Sequence, residues 1–155
     1  MDIQIDSREK SKAIQKILRT FDRRGINYFV SKLPVGDYIS LDNARLSVDR
    51  KQNLLELCNN TTQDSKRFIA ELERAEQMGI KLIVLCEHGG GIERLEDVMY
   101  WKNPRLTESP LAVSGERLYR KLSAISRAHN VHFEFCDKRQ TGNRIIELLG
   151  GEHHD

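Results

Sequence analysis

The run Lys81–Cys86, Lys-Leu-Ile-Val-Leu-Cys, contains no polar residue after its first position. A strand with one wet face alternates apolar and polar residues, whereas a strand that is apolar throughout must be covered on both faces. The run therefore predicts a central strand with helices packed above and below it. Suitable helices flank it. Behind Asp64 or Ser65 as a cap, Phe68, Ile69, Leu72 and Ala75 fall on one helical face through Gln77, and Gly79 stops the helix. From Glu116 to His129, Leu118, Leu122 and Ile125 form a second inward stripe, and Val131 to Phe135 returns as another strand.

The first half of the chain supplies the rest of the sheet. Ile3 to Ile5 reads as a short strand, and Ser11 to Arg24 as a helix with Ile14, Ile17, Leu18 and Phe21 on one side and Gly25 as its stop. Asn27 to Lys32 is a second strand, with Tyr28 and Val30 on one face, ended by Pro34-Val-Gly36. Asp37 to Ser40 and Leu46 to Lys51 then form a hairpin turning at Asp42-Asn43. Leu54 to Asn59 is a short helical piece and Asn59 to Gln63 a polar link. Gly89 to Gly91 makes a mobile loop, one or two helical turns follow near Arg94 to Met99, and Asn143 to Leu149 is a last short helix. Residues 1–150 are expected to form one domain, a mixed α/β sheet flanked by helices, and residues 151–155 a disordered tail.

Composition narrows the function. No apolar run approaches membrane-spanning length, and no basic-then-apolar signal opens the chain. Cys58, Cys86 and Cys136 are odd in number and sit in apolar segments, as reduced core residues of a cytoplasmic protein do. A formal net charge of +2 does not announce a nucleic-acid binder, so any phosphate-binding surface must come from local clustering. No glycine-rich strand-to-helix loop is present, which disfavours a nucleotide-dependent enzyme.

The hairpin carries the chemistry. Gly36-Asp37 opens its first strand, and Asp49-Arg50-Lys51 ends the second, where alternation puts Asp49 and Lys51 on one face and Arg50 on the other. A bare Asp-x-Lys triplet in a chain that is 31% charged is most often a solvated strand face. The preceding Gly-Asp changes that, because a hairpin brings the two carboxylates together, and they repel unless a cation lies between them. Asp37, Asp49 and the Arg50 carbonyl would be oxygen ligands for Mg²⁺ or Mn²⁺, leaving room for water and a phosphate. Lys51 would orient or deprotonate the attacking water and stabilise the transition state. Tyr38 is open to base stacking or to core packing. Lys138, Arg139 and Arg144 follow a strand of the same sheet and are candidate backbone contacts, as are Arg8 and Arg50, which could equally pair with neighbouring acids.

Asp6-x-Arg8-Glu9, Val35-Gly-Asp37 and Val48-Asp-Arg-Lys51, in that order, resemble the nuclease domain of the XPF-type structure-selective endonucleases, a branch of the PD-(D/E)XK nucleases with small bacterial and phage members. The resemblance runs on through Arg67-Phe68, the strand to Glu87, Phe133-Glu-Phe135 and Thr141-Gly-Asn-Arg144. It implies a restriction-endonuclease-like fold, with Asp37 and Asp49 as metal ligands, Lys51 as the catalytic lysine, and Asp6 and Glu9 as an acidic pair beside the metal. It also implies that Arg67 supports the site or a phosphate. Asp49 stands where the family usually has Glu, and Leu55 where it often has Asp, with Glu56 as a neighbouring substitute. The tandem helix-hairpin-helix domain that usually follows is not found after Leu149. The expected function is a metal-dependent DNA endonuclease acting on branched or flapped DNA in recombination, repair or phage replication, in the cytoplasm of a bacterium or phage-infected host. By the same resemblance the chain is expected to form a homodimer. The alternative is a non-catalytic DNA-binding or dimerisation module of the same fold, although such modules generally lose the carboxylates or the lysine retained here.

Overall fold

The computed structural model describes residues 1–150; the expected tail, residues 151–155, lies outside the described residues. Six strands form one sheet: β1 (Asp2–Ile5), β2 (Asn27–Val30), β3 (Tyr38–Ser40), β4 (Asn43–Lys51), β5 (Lys81–Glu87) and β6 (Val131–Cys136). Their spatial order is β2-β1-β3-β4-β5-β6. β3 runs antiparallel to both β1 and β4, while β2 is parallel to β1, and β4, β5 and β6 are parallel to one another. The sheet is mixed, as expected.

Helices cover both faces. Alternation along β5 sends Leu82, Val84 and Cys86 to a core beneath α2 (Leu54–Thr62), α3 (Ser65–Gln77) and α4 (Gly115–Ala128). Ile83 and Leu85 point the other way, with Val48, Tyr38 and Ile5, beneath α1 (Gln15–Arg23) and α5 (Thr141–Leu149). Each fully buried Leu or Ile contributes roughly 1.5–3 kcal/mol relative to exposure, which is why an all-apolar β5 demands both layers. No described helix is long and apolar enough to cross a membrane.

Three local expectations are corrected. The polar link after Asn59 is helical, because α2 continues to Thr62. The Asn53 side chain accepts from Glu56 N at 2.8 Å and Glu56 Oε1 accepts from Gln52 N at 2.7 Å, fixing the helix start. The Thr61 and Thr62 hydroxyls donate back to the Leu57 and Cys58 carbonyls, so these polar residues are satisfied inside the helix. Helix α1 begins only at Gln15, after tight turns from Lys10 to Ile14, and no side chain caps its start. Strand β2 stops at Val30 and is an outer strand, leaving Phe29 and Val30 exposed.

Parallel β4, β5 and β6 all end at the same edge of the sheet, the usual place for a site in an open α/β fold. Asp49, Arg50 and Lys51 are the last three residues of β4.

Candidate active site

Gly36 sets the entrance to the hairpin. Its φ is +73°, and a Cβ there would lie 2.1 Å from Ser47 Oγ, so only glycine fits. The turn starts Asp37 on the ladder: its N–H donates to Val48 O, and its Oδ2 accepts from Arg50 N, each at 2.8 Å. Asp37 is thereby locked against the strand that carries Asp49.

Asp49 is 5% exposed, and its Oδ2 is buried with no donor aligned on it, although Lys51 Nζ is 3.2 Å away. Burial, the Asp49 charge, a hydrogen bond shared with the Asp49 carboxyl and the Glu9 charge all push Asp37 far above the usual carboxylate range. Two buried carboxyls this close cannot both ionise without a cation. Burial works against the Lys51 charge, yet Asp49, Glu56 and Glu71 hold it above the ordinary lysine range, so it stands in the pocket as an ammonium. Its Nζ lies 5.8 Å from the Phe68 ring centroid, a cation–π contact that helps aim it.

Around these groups is an open cavity of about 370 Å³, also lined by Arg8, Glu56, Arg67 and Glu71. Glu71 escaped the sequence reading. It reaches in from α3, accepts from Gly36 N at 3.1 Å, and is raised by burial and by Asp49. Arg67, one helical turn earlier, is exposed and makes no ion pair among the described residues, leaving its guanidinium available to an anion. Leu55 packs on the core while Glu56 lines the cavity, so Glu56 is the acid of that turn that faces the site.

Of the first acidic pair, Glu9 lines the cavity and Asp6 lies behind it, its N–H donating to Asp37 O at 2.8 Å, but the oxygens of both are engaged by other groups. Asp6 is fully buried; burial opposes its charge, but bonds from Leu33 N (2.7 Å), Arg8 N (3.0 Å) and Arg8 Nε (2.5 Å) hold it below the ordinary carboxylate range. With both oxygens engaged, Asp6 orders the loop after β1, and Arg8 is its ion-pair partner as well as a rim residue. Glu9 accepts from Tyr38 Oη (2.6 Å), Arg50 Nε (2.7 Å) and Arg50 Nη2 (3.1 Å). Arg50 reaches on to Glu87, whose other oxygen accepts from Thr141 Oγ1. The Arg50 side chain is 5% exposed and committed to two carboxylates, so its guanidinium holds the framework and does not reach a phosphate. Tyr38 is wholly buried against Phe21 and cannot stack on a base.

Lys138, Arg139 and Arg144 are not gathered into this cavity. Lys138 lines a different cleft, on the α1 side of the sheet. Arg139 pairs with Asp137, and Arg144 with Glu134 and Glu147, so both guanidinium groups already have carboxylate partners.

The donor chemistry fits a hard divalent cation. Among the described residues no three His, Cys, Asp or Glu side chains are gathered to hold a metal by themselves. The protein's share would be the Asp37 and Asp49 carboxylates and the Arg50 carbonyl, a small oxygen set of the kind Mg²⁺ accepts alongside water and phosphate. The repelling carboxyl pair, whose buried Asp49 Oδ2 has an ion-pair contact with Lys51 but no aligned hydrogen bond, is what such a cation would resolve.

A mixed sheet with this hairpin at its functional edge defines a restriction-endonuclease-like α/β domain. The model of the ERCC4 domain matches residues 5–149, and the chain belongs to that family, the XPF-type nuclease domains. Similar solved structures include XPF from Aeropyrum pernix, with a TM-score of 0.68, and the same protein in complex with DNA, with a TM-score of 0.67. Each is 17% identical over 96% of this chain, a likeness of fold. The chain spans 63% of the length of those chains. None of the curated proteins matches the sequence significantly.

Proposed function

We propose that this chain is a divalent-metal-dependent endonuclease that hydrolyses phosphodiester bonds in branched or flapped DNA, as a step in recombination, repair or phage replication in the cytoplasm. One observation carries the reading: Asp37 and Asp49 converge in an open cavity, with the Lys51 ammonium 3.2 Å from a buried Asp49 oxygen that has no aligned hydrogen bond. Mg²⁺ or Mn²⁺ held there would supply Lewis-acid neutralisation of the phosphate and a more acidic water. The chain's own residues do the rest. Lys51 donates to the attacking water or a phosphoryl oxygen and stabilises the charge that grows on phosphorus-bound oxygen. Arg67 meets a flanking phosphate at the rim. Glu9, Glu87 and Arg50 hold the end of β4 rigid, so the two carboxylates keep their spacing.

The test is single-turnover cleavage of linear, flap, fork and four-way-junction DNA, with Mg²⁺, Mn²⁺ or EDTA. Wild type is expected to cut branched substrates only with metal. Lys51→Ala should lose on the order of 10²–10³ in rate at saturating DNA, as loss of one preorganised donor does elsewhere, while affinity falls little. A Lys51→Ala protein that cuts at the wild-type rate sinks the assigned role, and cutting in EDTA sinks the metal.

The chain is further read as a homodimer. Trp101 is core, but its neighbours Met99 and Tyr100 are exposed, as is Leu111 before α4. Sedimentation velocity is expected to show a dimer by roughly tens of micromolar, where a weak association of about −6 kcal/mol becomes visible. Monomer alone at that concentration rules it out.

A further inference from the structure

Alternation at the end of β4 sends Asp49 and Lys51 to one face of the sheet and Arg50 to the other. Two clefts therefore share the same edge of the sheet, and Arg50 lines both. The second, about 650 Å³, lies on the α1 face. Lys12, Lys16, Arg19 and Lys138 surround it, with Gln52 and Asn53 on the side of the hairpin. All four cations are exposed, and none makes an ion pair among the described residues. Glu87 is the acid among the lining residues, and its oxygens are already taken by Arg50 and Thr141.

We propose that this second cleft binds the sugar-phosphate backbone of the DNA on one side of the bond that is cut. The inference rests on the endonuclease reading above. In a chain whose net charge is only +2, four unneutralised cations around one concave surface are a local field, and low-dielectric walls focus it. Lys16 and Arg19 are one helical turn apart on α1, about 4.5 Å of rise. Their side chains leave the same face of the helix, and both are long and flexible enough to meet phosphates of one strand. Gln52 and Asn53 supply neutral donors of the kind that fix backbone register. A strand seated in the cleft and continued past the end of β4 enters the carboxylate pocket across the Arg50 wall.

The experiment compares wild type with Lys16→Ala/Arg19→Ala. A charge-matched control, Arg45→Ala/Lys81→Ala, lies on adjacent strands at the opposite edge of the sheet. DNA affinity is measured by anisotropy in EDTA at several salt concentrations, with substrates shortened stepwise on either side of the cut, and cleavage is measured with Mn²⁺. The cleft variant should bind about tenfold or more weakly, and its salt slope should fall by roughly 0.7–0.9 for each lost contact. Wild type should lose affinity when one particular arm is shortened, and the variant should not. Equal affinity and slope in variant and control overturn the proposal, as does a binding loss that is indifferent to arm length, which would mark a general anion site. If wild type cuts DNA and the cleft variant binds normally, the cleft falls and the endonuclease stands. Arm-dependent binding without any cleavage leaves the cleft standing and removes the endonuclease.

Discussion

Asp49→Asn is expected to abolish metal-dependent cleavage, by on the order of 10³-fold or more, while leaving a folded protein. The substitution keeps the shape of the side chain and removes one of two charges that would face the cation. Mn²⁺ should raise the melting temperature of the wild type and leave that of the variant unmoved, a readout independent of activity. Without metal, the variant should melt higher than wild type near neutral pH. The sign follows from Asp37, whose carboxyl is raised by burial and by Asp49, so the fold disfavours its ionised form. That penalty grows as pH rises above the unfolded carboxylate value of about 3.9, and it disappears below it, where the Asp37 carboxyl is neutral in either state. The gain in melting temperature should therefore vanish in acid. An Asp49→Asn protein that still cuts, or that responds to Mn²⁺ as wild type does, would end the metal assignment.

Arg50→Ala should have the largest effect on stability, roughly 3–5 kcal/mol, because it leaves buried carboxylates without their cation. The side chains of Arg50, Glu9 and Glu87 are 5%, 10% and 9% exposed, so water cannot take over the lost interactions. Urea unfolding should show a lower midpoint with an unchanged slope. Adding Glu9→Gln to Arg50→Ala should restore part of the loss, since the orphaned charge and not the missing side chain is responsible. A destabilisation under about 1 kcal/mol would mean that the three groups are not coupled as described.

Much of this was legible in the sequence for identifiable reasons. The all-apolar β5 required two helical layers, and the Gly36-Asp37 and Asp49-Arg50-Lys51 pieces lie on one local hairpin, so their meeting needed no long-range information. Glu71 was hidden because its approach depends on how α3 docks; in the sequence it is one more charge on a helix stripe. The same holds for Glu87 and Thr141, which join Arg50 only once β5 and α5 are in place. The resemblance puts Asp6 and Glu9 beside the site, and Glu9 does line the cavity, but the hydrogen bonds that engage their oxygens are ones no spacing rule reveals. The Asn59–Thr62 segment defeated composition, since asparagine and threonine are weak helix formers until caps and back-bonded hydroxyls satisfy them.

The chain Tyr38–Glu9–Arg50–Glu87–Thr141 joins the loop after the first strand, the β3–β4 hairpin, β5 and the last helix. A nascent polypeptide acquires these pieces in order, and the hairpin is made long before α5 emerges. Until α5 docks, Glu87 lacks Thr141 and the lattice of bonds that steadies Arg50 is incomplete. The network that steadies the end of the hairpin is thus completed only by the last element to be made.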